Sequence, residues 1–144
     1  MKLNKVLWYA DLEHHRRHGR SLTGLRDYVR LPMGPVPPTI KAALARLVAD
    51  GAIAERRTPV FDFEHREFVW LREPEIESFS ADEIDILNRV IEAVCGHTAA
   101  AVSDATHDAL WQELANGAPM PIGAAAVRAR APGPDDLDWA RRVA

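Results

Sequence analysis

Serine, histidine and aspartate side chains, the types that form acyl-transfer triads, lie close together in the last third of the chain. Ser103, Asp104 and His107 fall within a few positions of one another, and such a triad needs all three groups to converge on one point. On a single helix Ser103 and His107 share a face, whereas Asp104 projects about 100° away from it. The three groups therefore cannot converge, and His107 is expected to be a hydrogen-bonded structural residue.

Other signatures of catalysis or cofactor binding are not found in the sequence. It has no glycine-rich phosphate loop, no paired cysteines or His-Glu-x-x-His spacing for zinc, and no nucleophile elbow. We therefore expect a protein that is not an enzyme and that holds neither a cofactor nor a metal.

Three arginines near the end of the first predicted helix are the candidate partner contacts. Arg16, Arg17 and Arg20 stand among histidines. Arginine is enriched at protein interfaces because its planar guanidinium pairs with carboxylates and stacks on aromatic rings. The alternative is that these charges only favour the helix C-terminus and stay solvated. The sequence leaves both interpretations open.

The net charge of −3 hides a strong asymmetry along the chain. Residues 1–57 carry 11 Lys/Arg against 5 Asp/Glu, or +6, whereas residues 58–95 carry 3 against 10, or −7. Residues 96–144 carry 4 against 6, or −2. Such a split suits electrostatic steering of a protein partner. The alternative is that the two regions neutralise each other within the fold.

The compartment is predicted from cysteine usage and hydropathy. The one cysteine, Cys95, lies in an apolar run and is expected to be a buried thiol, which fits a reducing cytosol. No apolar stretch approaches the roughly 20 residues of a membrane span, and no signal-peptide core is evident. We expect a cytoplasmic protein with no membrane partner, folded alone or as a small homo-oligomer.

The first element that must position these residues is a helix over residues 2–18. Gly19 follows it and can adopt the left-handed conformation that ends a helix. Its predicted buried face, with the i, i+3, i+4, i+7 spacing of an amphipathic helix, consists of Leu3, Val6, Leu7 and Ala10.

Irregular structure is predicted over residues 20–38, with a short extended piece around Tyr28. Four prolines and a glycine within 32–38 indicate a rigid turn, since proline fixes φ and removes a backbone donor. A second helix is predicted over 38–50. Aromatic and β-branched residues within 52–71 then predict a β-hairpin with a polar break at 64–66.

The remaining elements are mostly helical. Ser80 and Glu83 have the spacing of a capping box, which predicts a third helix that ends before Gly96. A further helix is predicted over residues 99–114, an extended connection over 118–133 and a short last helix over 135–143. The predicted fold is mainly α with a small antiparallel β-hairpin, an α+β domain. The buried stripe predicted for the third helix consists of Ile84, Leu87, Ile91 and Val94.

The middle of the chain also has the pattern of a winged helix. A helix followed by a two-stranded wing over residues 37–71 is typical of a DNA-binding transcriptional regulator. The outward face of that helix, however, offers few groups that read bases. Asp62, Glu64 and Glu67 would make the wing acidic and repel phosphate. The winged-helix-like shape is kept as an alternative, but nucleic acid is not the favoured partner.

Three ordered blocks of sequence resemble the Panacea-domain, SocA-like antitoxin family. The first is residues 2–11 followed by 19–24, the second is the Tyr28 to Pro37 segment with its Gly-Pro-Val-Pro turn, and the third is Ser-x-x-x-His-x-x-x-Trp ending at Trp111. The positions that carry the resemblance are Tyr9, Asp11, Gly19, Gly24, Tyr28, Gly34, Pro35, Pro37, His107 and Trp111.

The resemblance implies an antitoxin whose partner is a cognate protein toxin. The resemblance implies neutralisation of the toxin by direct binding, and, as described for one member of the family, a possible further role as an adaptor that delivers the toxin to a protease. It also implies a Panacea-like domain over residues 1–117, followed by an Ala/Pro-rich connection and short helix over 118–144. Family members often carry residues ahead of the opening motif, which leaves open whether an N-terminal segment is missing here.

Overall fold

The computed structural model describes residues 2–128 and 142 and divides the chain into two compact units. Unit 1 is formed by Met1–Pro37 and Asp82–Ala144, and unit 2 by Pro38–Ala81. Helices and small antiparallel sheets together confirm an α+β fold. The predicted helix over residues 135–143 lies outside the described residues, apart from Arg142.

Helix α1 (Lys2–His18) has the predicted limits, and Gly19 ends it with a φ of 71°. Its predicted buried face is correct only in part: Ala10 is buried and Leu7 packs against the core. Leu3 is 40% exposed, whereas the buried residues include the polar side chains of Lys5, Asp11 and His14. The helix therefore buries a face that differs in part from the predicted one. This is possible because Lys5, Asp11 and His14 have hydrogen-bond partners on other segments, which offset the cost of burying polar groups.

The proline-rich segment contains the predicted turn at Pro32 and Met33, and the predicted extended piece around Tyr28 is a strand, but residues 34–36 form a second strand where irregular structure was expected. Strands β1 (Asp27–Leu31) and β2 (Gly34–Val36) form an antiparallel hairpin, and β5 (Pro119–Pro121) pairs with the other side of β1. The order β2-β1-β5 places the proline-containing strands at the edges. A proline is tolerated there because an edge strand leaves one row of backbone groups outside the ladder.

The region after residue 118, predicted as an extended connection, contributes to the core of unit 1. Strand β5 is followed by helix α6 (Ile122–Arg128), which packs against α1. The rings of Trp8 and Tyr28 meet edge to face at 4.9 Å. The buried core around them is completed by Leu12, Leu110, Met120, Ile122, Ala125 and Ala126.

Helix α3 (Ala81–Cys95) confirms the predicted third helix and the burial of Val94, but the rest of its buried face differs from the predicted stripe. Ile86 and Val94 are buried, while Ile91 is 44% exposed. Cys95 is exposed rather than buried. No helix in the described part of the chain is both long and apolar enough to span a membrane.

The helix predicted over residues 99–114 is two helices, α4 (Ala99–Ala105) and α5 (Ala109–Glu113). Each has its own N-cap: the Thr98 side chain accepts from the backbone of Ala101, and the Asp108 side chain accepts from the backbone of Trp111. A second capping residue starts a new helix and interrupts the first. His107 therefore lies between the helices, not on a helical face.

Unit 2 consists of helix α2 (Ile40–Ala49) and the hairpin of β3 (Ile53–Val60) and β4 (Phe63–Trp70). The register pairs Val60 with Phe63, so Phe61 and Asp62 form a two-residue turn. The predicted polar break at residues 64–66 is instead part of β4. The helix-then-hairpin order of a winged helix is present.

Candidate functional site

Asp11 connects α1 to the loop and strand that follow it. Its carboxylate is fully buried and accepts three hydrogen bonds, from the Thr23 backbone at 2.8 Å, the Thr23 hydroxyl at 2.5 Å and the Tyr28 hydroxyl at 2.8 Å. Burial, and then the negative charge of Asp11, raise the pKa of Tyr28 above its usual range. Two family-motif residues thus form one structural network.

Lys5 forms a second buried connection, which the hydropathy pattern of α1 does not predict. Its ammonium donates to the Met33 carbonyl and, at 3.0 Å, to the Thr106 hydroxyl. The Ser103 hydroxyl donates to the same Met33 carbonyl at 2.8 Å. No local pattern marks this connection, because its acceptors at Met33 and Thr106 lie 28 and 101 positions away along the chain.

Gly34 explains why Lys5 can reach the β1–β2 turn. Its φ is 104°, and a Cβ atom at this position would lie 1.9 Å from the Lys5 Nζ and 2.3 Å from the Thr106 Oγ1. Both the backbone conformation and the space therefore require glycine. Pro35 is buried beside it. The Gly-Pro motif thus forms part of the buried site that holds the Lys5 ammonium.

We expect the burial of Lys5 to make stability rise with pH above neutrality. Burial lowers the pKa of Lys5 from 10.5 to about 8. The unfolded chain therefore holds this proton more tightly, and between about pH 8 and 10 the free energy of unfolding should increase with pH. The neutral amine keeps two N–H groups for its two acceptors. Above pH 10 the raised pKa of Tyr28 acts in the opposite direction.

Urea unfolding of wild type and Lys5→Met at pH 7.5 and 9.5 measures this effect. The midpoint of the wild type should rise over this interval, and the rise should be absent in Lys5→Met. An equal rise in both proteins would show that Lys5 is not the responsible group.

Trp111 is held by contacts to β1 and to the link between α4 and α5. Its ring stacks on His107 with centroids 3.8 Å apart, and the Arg30 guanidinium lies 3.7 Å from the ring centroid. The indole N–H donates to the Leu31 carbonyl at 3.1 Å. His107 and Trp111 are thus brought together by stacking. Within the described residues the buried Nε2 of His107 has no hydrogen-bond partner.

The three candidate arginines have different surroundings. Arg17 is bound to Asp82 at 2.7 Å and to Glu13 at 2.9 Å, so it connects α1 to the start of α3. Arg16 lies 3.7 Å from Glu13 and keeps 41% of its side chain exposed. Arg20 is exposed. Arg16 and Arg20 are therefore better placed than Arg17 to meet another molecule.

A groove of about 610 Å³ lies between α1, α3 and α4, all in unit 1. Its walls are largely apolar and include Val90, Ala93 and Ala101, while Arg16 and Arg89 line it with their charged side chains. A groove of this size and character is large enough to take apolar side chains of another molecule.

The residues first considered for catalysis do not meet. Ser103 is occupied with the Met33 carbonyl, His107 stacks on Trp111, and Asp104 is exposed. In the ranges that the structure describes, no group of three or more histidine, cysteine or acidic residues is arranged to hold a metal ion.

The hairpin of unit 2 carries arginines that pair with two of the acidic residues predicted for the wing, while Asp62 lies at the turn. Arg56 pairs with Glu67, with Nε and Oε2 at 2.9 Å, and Arg57 pairs with Glu64 at 3.5 Å. Acidic and basic side chains largely compensate one another along the strands. The arginines are thus engaged with carboxylates, which does not favour binding to phosphates.

Two further family-motif glycines adopt positive φ, Gly19 at 71° and Gly24 at 79°, in open surroundings. Pro37 is buried where unit 1 ends, and Tyr9 is half-buried and lines the groove. Comparison with known protein families gives a match to the family described as antitoxin SocA-like, Panacea domain, over residues 3–112. No curated protein and no solved structure matches the chain significantly.

Proposed function

Because the chain belongs to the antitoxin SocA-like, Panacea-domain family, we propose that it neutralises a cognate protein toxin in the cytoplasm by binding it directly. The observation that carries this proposal is the family match over residues 3–112, which covers all of unit 2 and most of the described part of unit 1. We propose a non-catalytic role.

The motif residues make their contacts within the chain, which leaves other residues to bind a partner. Asp11 and Tyr28 bind each other, Gly34 accommodates Lys5, and Trp111 is stacked and hydrogen-bonded. These groups serve the fold, so contact with a toxin falls to surface residues. The part of unit 1 best suited to it combines an apolar groove with the exposed side chain of Arg16.

The test is co-expression with the protein encoded by the adjacent reading frame. We expect growth arrest when that protein is produced alone, and normal growth when both are produced. Toxin half-life separates two modes: direct occlusion leaves it unchanged, whereas delivery to a protease shortens it. Arrest that this chain does not relieve, with both proteins present, would contradict the antitoxin proposal.

Reversing the exposed charges of α1 should slow capture of the toxin. For Arg16→Glu with Arg20→Glu we expect an association rate about tenfold lower at low salt, with the difference shrinking as salt rises, because exposed charges act mainly on encounter. Stopped-flow or surface-based binding measures the rate. Arg17 is left intact because its reversal would oppose Asp82 and Glu13.

Lys41→Glu with Arg46→Glu is the matched control, since it changes the net charge equally at exposed positions of α2. If the association rate fell equally in both double variants, the effect would come from net charge and not from a contact made by Arg16 and Arg20. An unaltered rate in Arg16→Glu with Arg20→Glu would show that these arginines are only a solvated helix end.

A further inference from the structure

Phe61 occupies an unusual position at the tip of the unit 2 hairpin. It is the first of the two turn residues, its side chain is 100% exposed, and its φ of 53° is positive. Among the described residues other than glycine, no other has a positive φ. The first position of such a hairpin turn favours glycine, and a bulky residue there is strained. Neither folding nor solubility accounts for a phenylalanine here.

The strands below the tip are held by ion pairs that extend along the hairpin. Glu55 accepts from Arg57 at 3.0 Å and from Arg66 at 2.5 Å, and it thereby bridges two arginines that lie directly opposite each other. The Arg66 hydrogen bond is the main cause that lowers the pKa of Glu55, so this bridge is charged at neutral pH. Each pair is individually weak, and those that cross from β3 to β4 add modestly to the stability of the hairpin.

The surroundings of Phe61 are acidic and partly apolar. Asp62 stands beside it in the turn, and Val60 before it is 46% exposed. An exposed aromatic ring is a large apolar surface held by only two side-chain torsions, which is why aromatic residues are frequent anchors at protein interfaces. The adjacent carboxylate favours a partner with basic residues around the point of contact.

We propose that Phe61 is an anchor that inserts into an apolar pocket with a basic rim on the partner protein. This inference rests on the proposed function, in which that partner is the toxin. Strain at a backbone position persists where the side chain serves something other than stability. Lipid headgroups and nucleic acids present phosphates, which Asp62 would repel. A protein pocket is the occupant that fits both the ring and its charge.

The experiment compares Phe61→Gly with wild type in binding and in stability. Glycine accepts positive φ without strain, so the hairpin should become more stable, with slower hydrogen exchange of its strand amides. Binding to the protein encoded by the adjacent reading frame should weaken about 30-fold or more, the loss typical of a central aromatic anchor. A residue needed only for folding would not combine higher stability with lost binding.

Two further variants complete the test. Phe61→Asn, which also tolerates positive φ, should lose binding like Phe61→Gly, while Phe61→Trp should retain it. Trp70→Ala removes another exposed aromatic, at the opposite end of the hairpin, and should leave binding unchanged. Equal binding by wild type and Phe61→Gly would overturn the inference.

The outcomes separate this inference from the proposed function. If wild type itself neither binds nor neutralises the adjacent gene product, the antitoxin proposal fails and the anchor fails with it. If wild type neutralises and Phe61→Gly does so equally well, only the anchor fails. Phe61-dependent binding to vesicles with anionic headgroups would overturn the protein pocket in favour of a membrane.

Discussion

Gly34→Val is expected to unfold unit 1 or to lower its melting temperature by about 10 °C or more. The valine would force a positive φ on a β-branched residue and place its Cβ on the Lys5 Nζ and the Thr106 Oγ1. Backbone strain and overpacking of a buried site each cost about 1–3 kcal/mol. Their sum is a large part of the 5–15 kcal/mol that stabilises a typical domain. Thermal melts by circular dichroism measure the effect.

Gly117→Val is the matched control, because Gly117 also has a positive φ of 83° but nothing lies within 4 Å of an added Cβ. This variant should lose only the stability that the backbone strain costs, about 1–3 kcal/mol. Lys5→Ala combined with Gly34→Ala should recover part of the stability lost in Gly34→Ala alone. If Gly34→Val and Gly117→Val have the same melting temperature, the close approach of Lys5 is not the reason that position 34 requires glycine.

Asp11→Ala is expected to destabilise unit 1 by about 3–5 kcal/mol, because hydrogen bonds to a charged group contribute about 1.5–3 kcal/mol each and a buried donor without an acceptor adds its own cost. The variant leaves the Thr23 backbone N–H and the Tyr28 hydroxyl without their acceptor. Asp11→Asn should cost less, because its amide oxygen still accepts. Urea unfolding followed by fluorescence gives the free energies.

The control for this experiment is Asp104→Ala, which removes an exposed aspartate from α4 of the same unit. Its stability should stay within about 0.5 kcal/mol of wild type, as is usual for surface substitutions. An Asp11→Ala protein as stable as Asp104→Ala would mean that the three hydrogen bonds contribute little beyond those made with water.

Local signals predicted the elements well where a single residue type controls the backbone. Gly19 marks the end of α1, Gly96 follows the end of α3, and the aromatic residues of 52–71 predict a hairpin. These features depend on the conformational preferences of a few neighbouring residues. They can be read without knowledge of the rest of the chain.

The errors arise where distant partners decide the outcome. Hydropathy places Lys5 and Asp11 on the outside of α1, but their partners lie 101 and 17 positions away, at Thr106 and Tyr28, and allow both to be buried. The proline-rich segment forms an edge strand because β1 is there to pair with it. Burial of polar groups and strand pairing are properties of the folded whole, and a local pattern does not contain them.

In the candidate site, too, the features that depend on distant partners could not be predicted. His107 and Trp111 are brought together by ring stacking, although His107 lies between α4 and α5 and the two residues do not share a helical face. The ion pair that sets Arg17 apart from Arg16 and Arg20 could not be predicted from the local sequence, because its partner Asp82 is 65 positions away. The strain at Phe61 was also hidden, because it depends on a register that leaves only two residues for the turn.

The long reach of Lys5 also determines when this protein can become native during its synthesis. Helix α1 leaves the ribosome before its partners do, because the acceptor at Thr106 is made 101 residues after Lys5, a delay of about 5–20 s at 5–20 residues per second. Met120 and Ile122, which close the same core, follow later still. Throughout this interval Trp8 lacks the part of its core that Met120 and Ile122 supply, and we expect the growing chain to expose apolar surface of the kind that chaperones bind until these residues have been made.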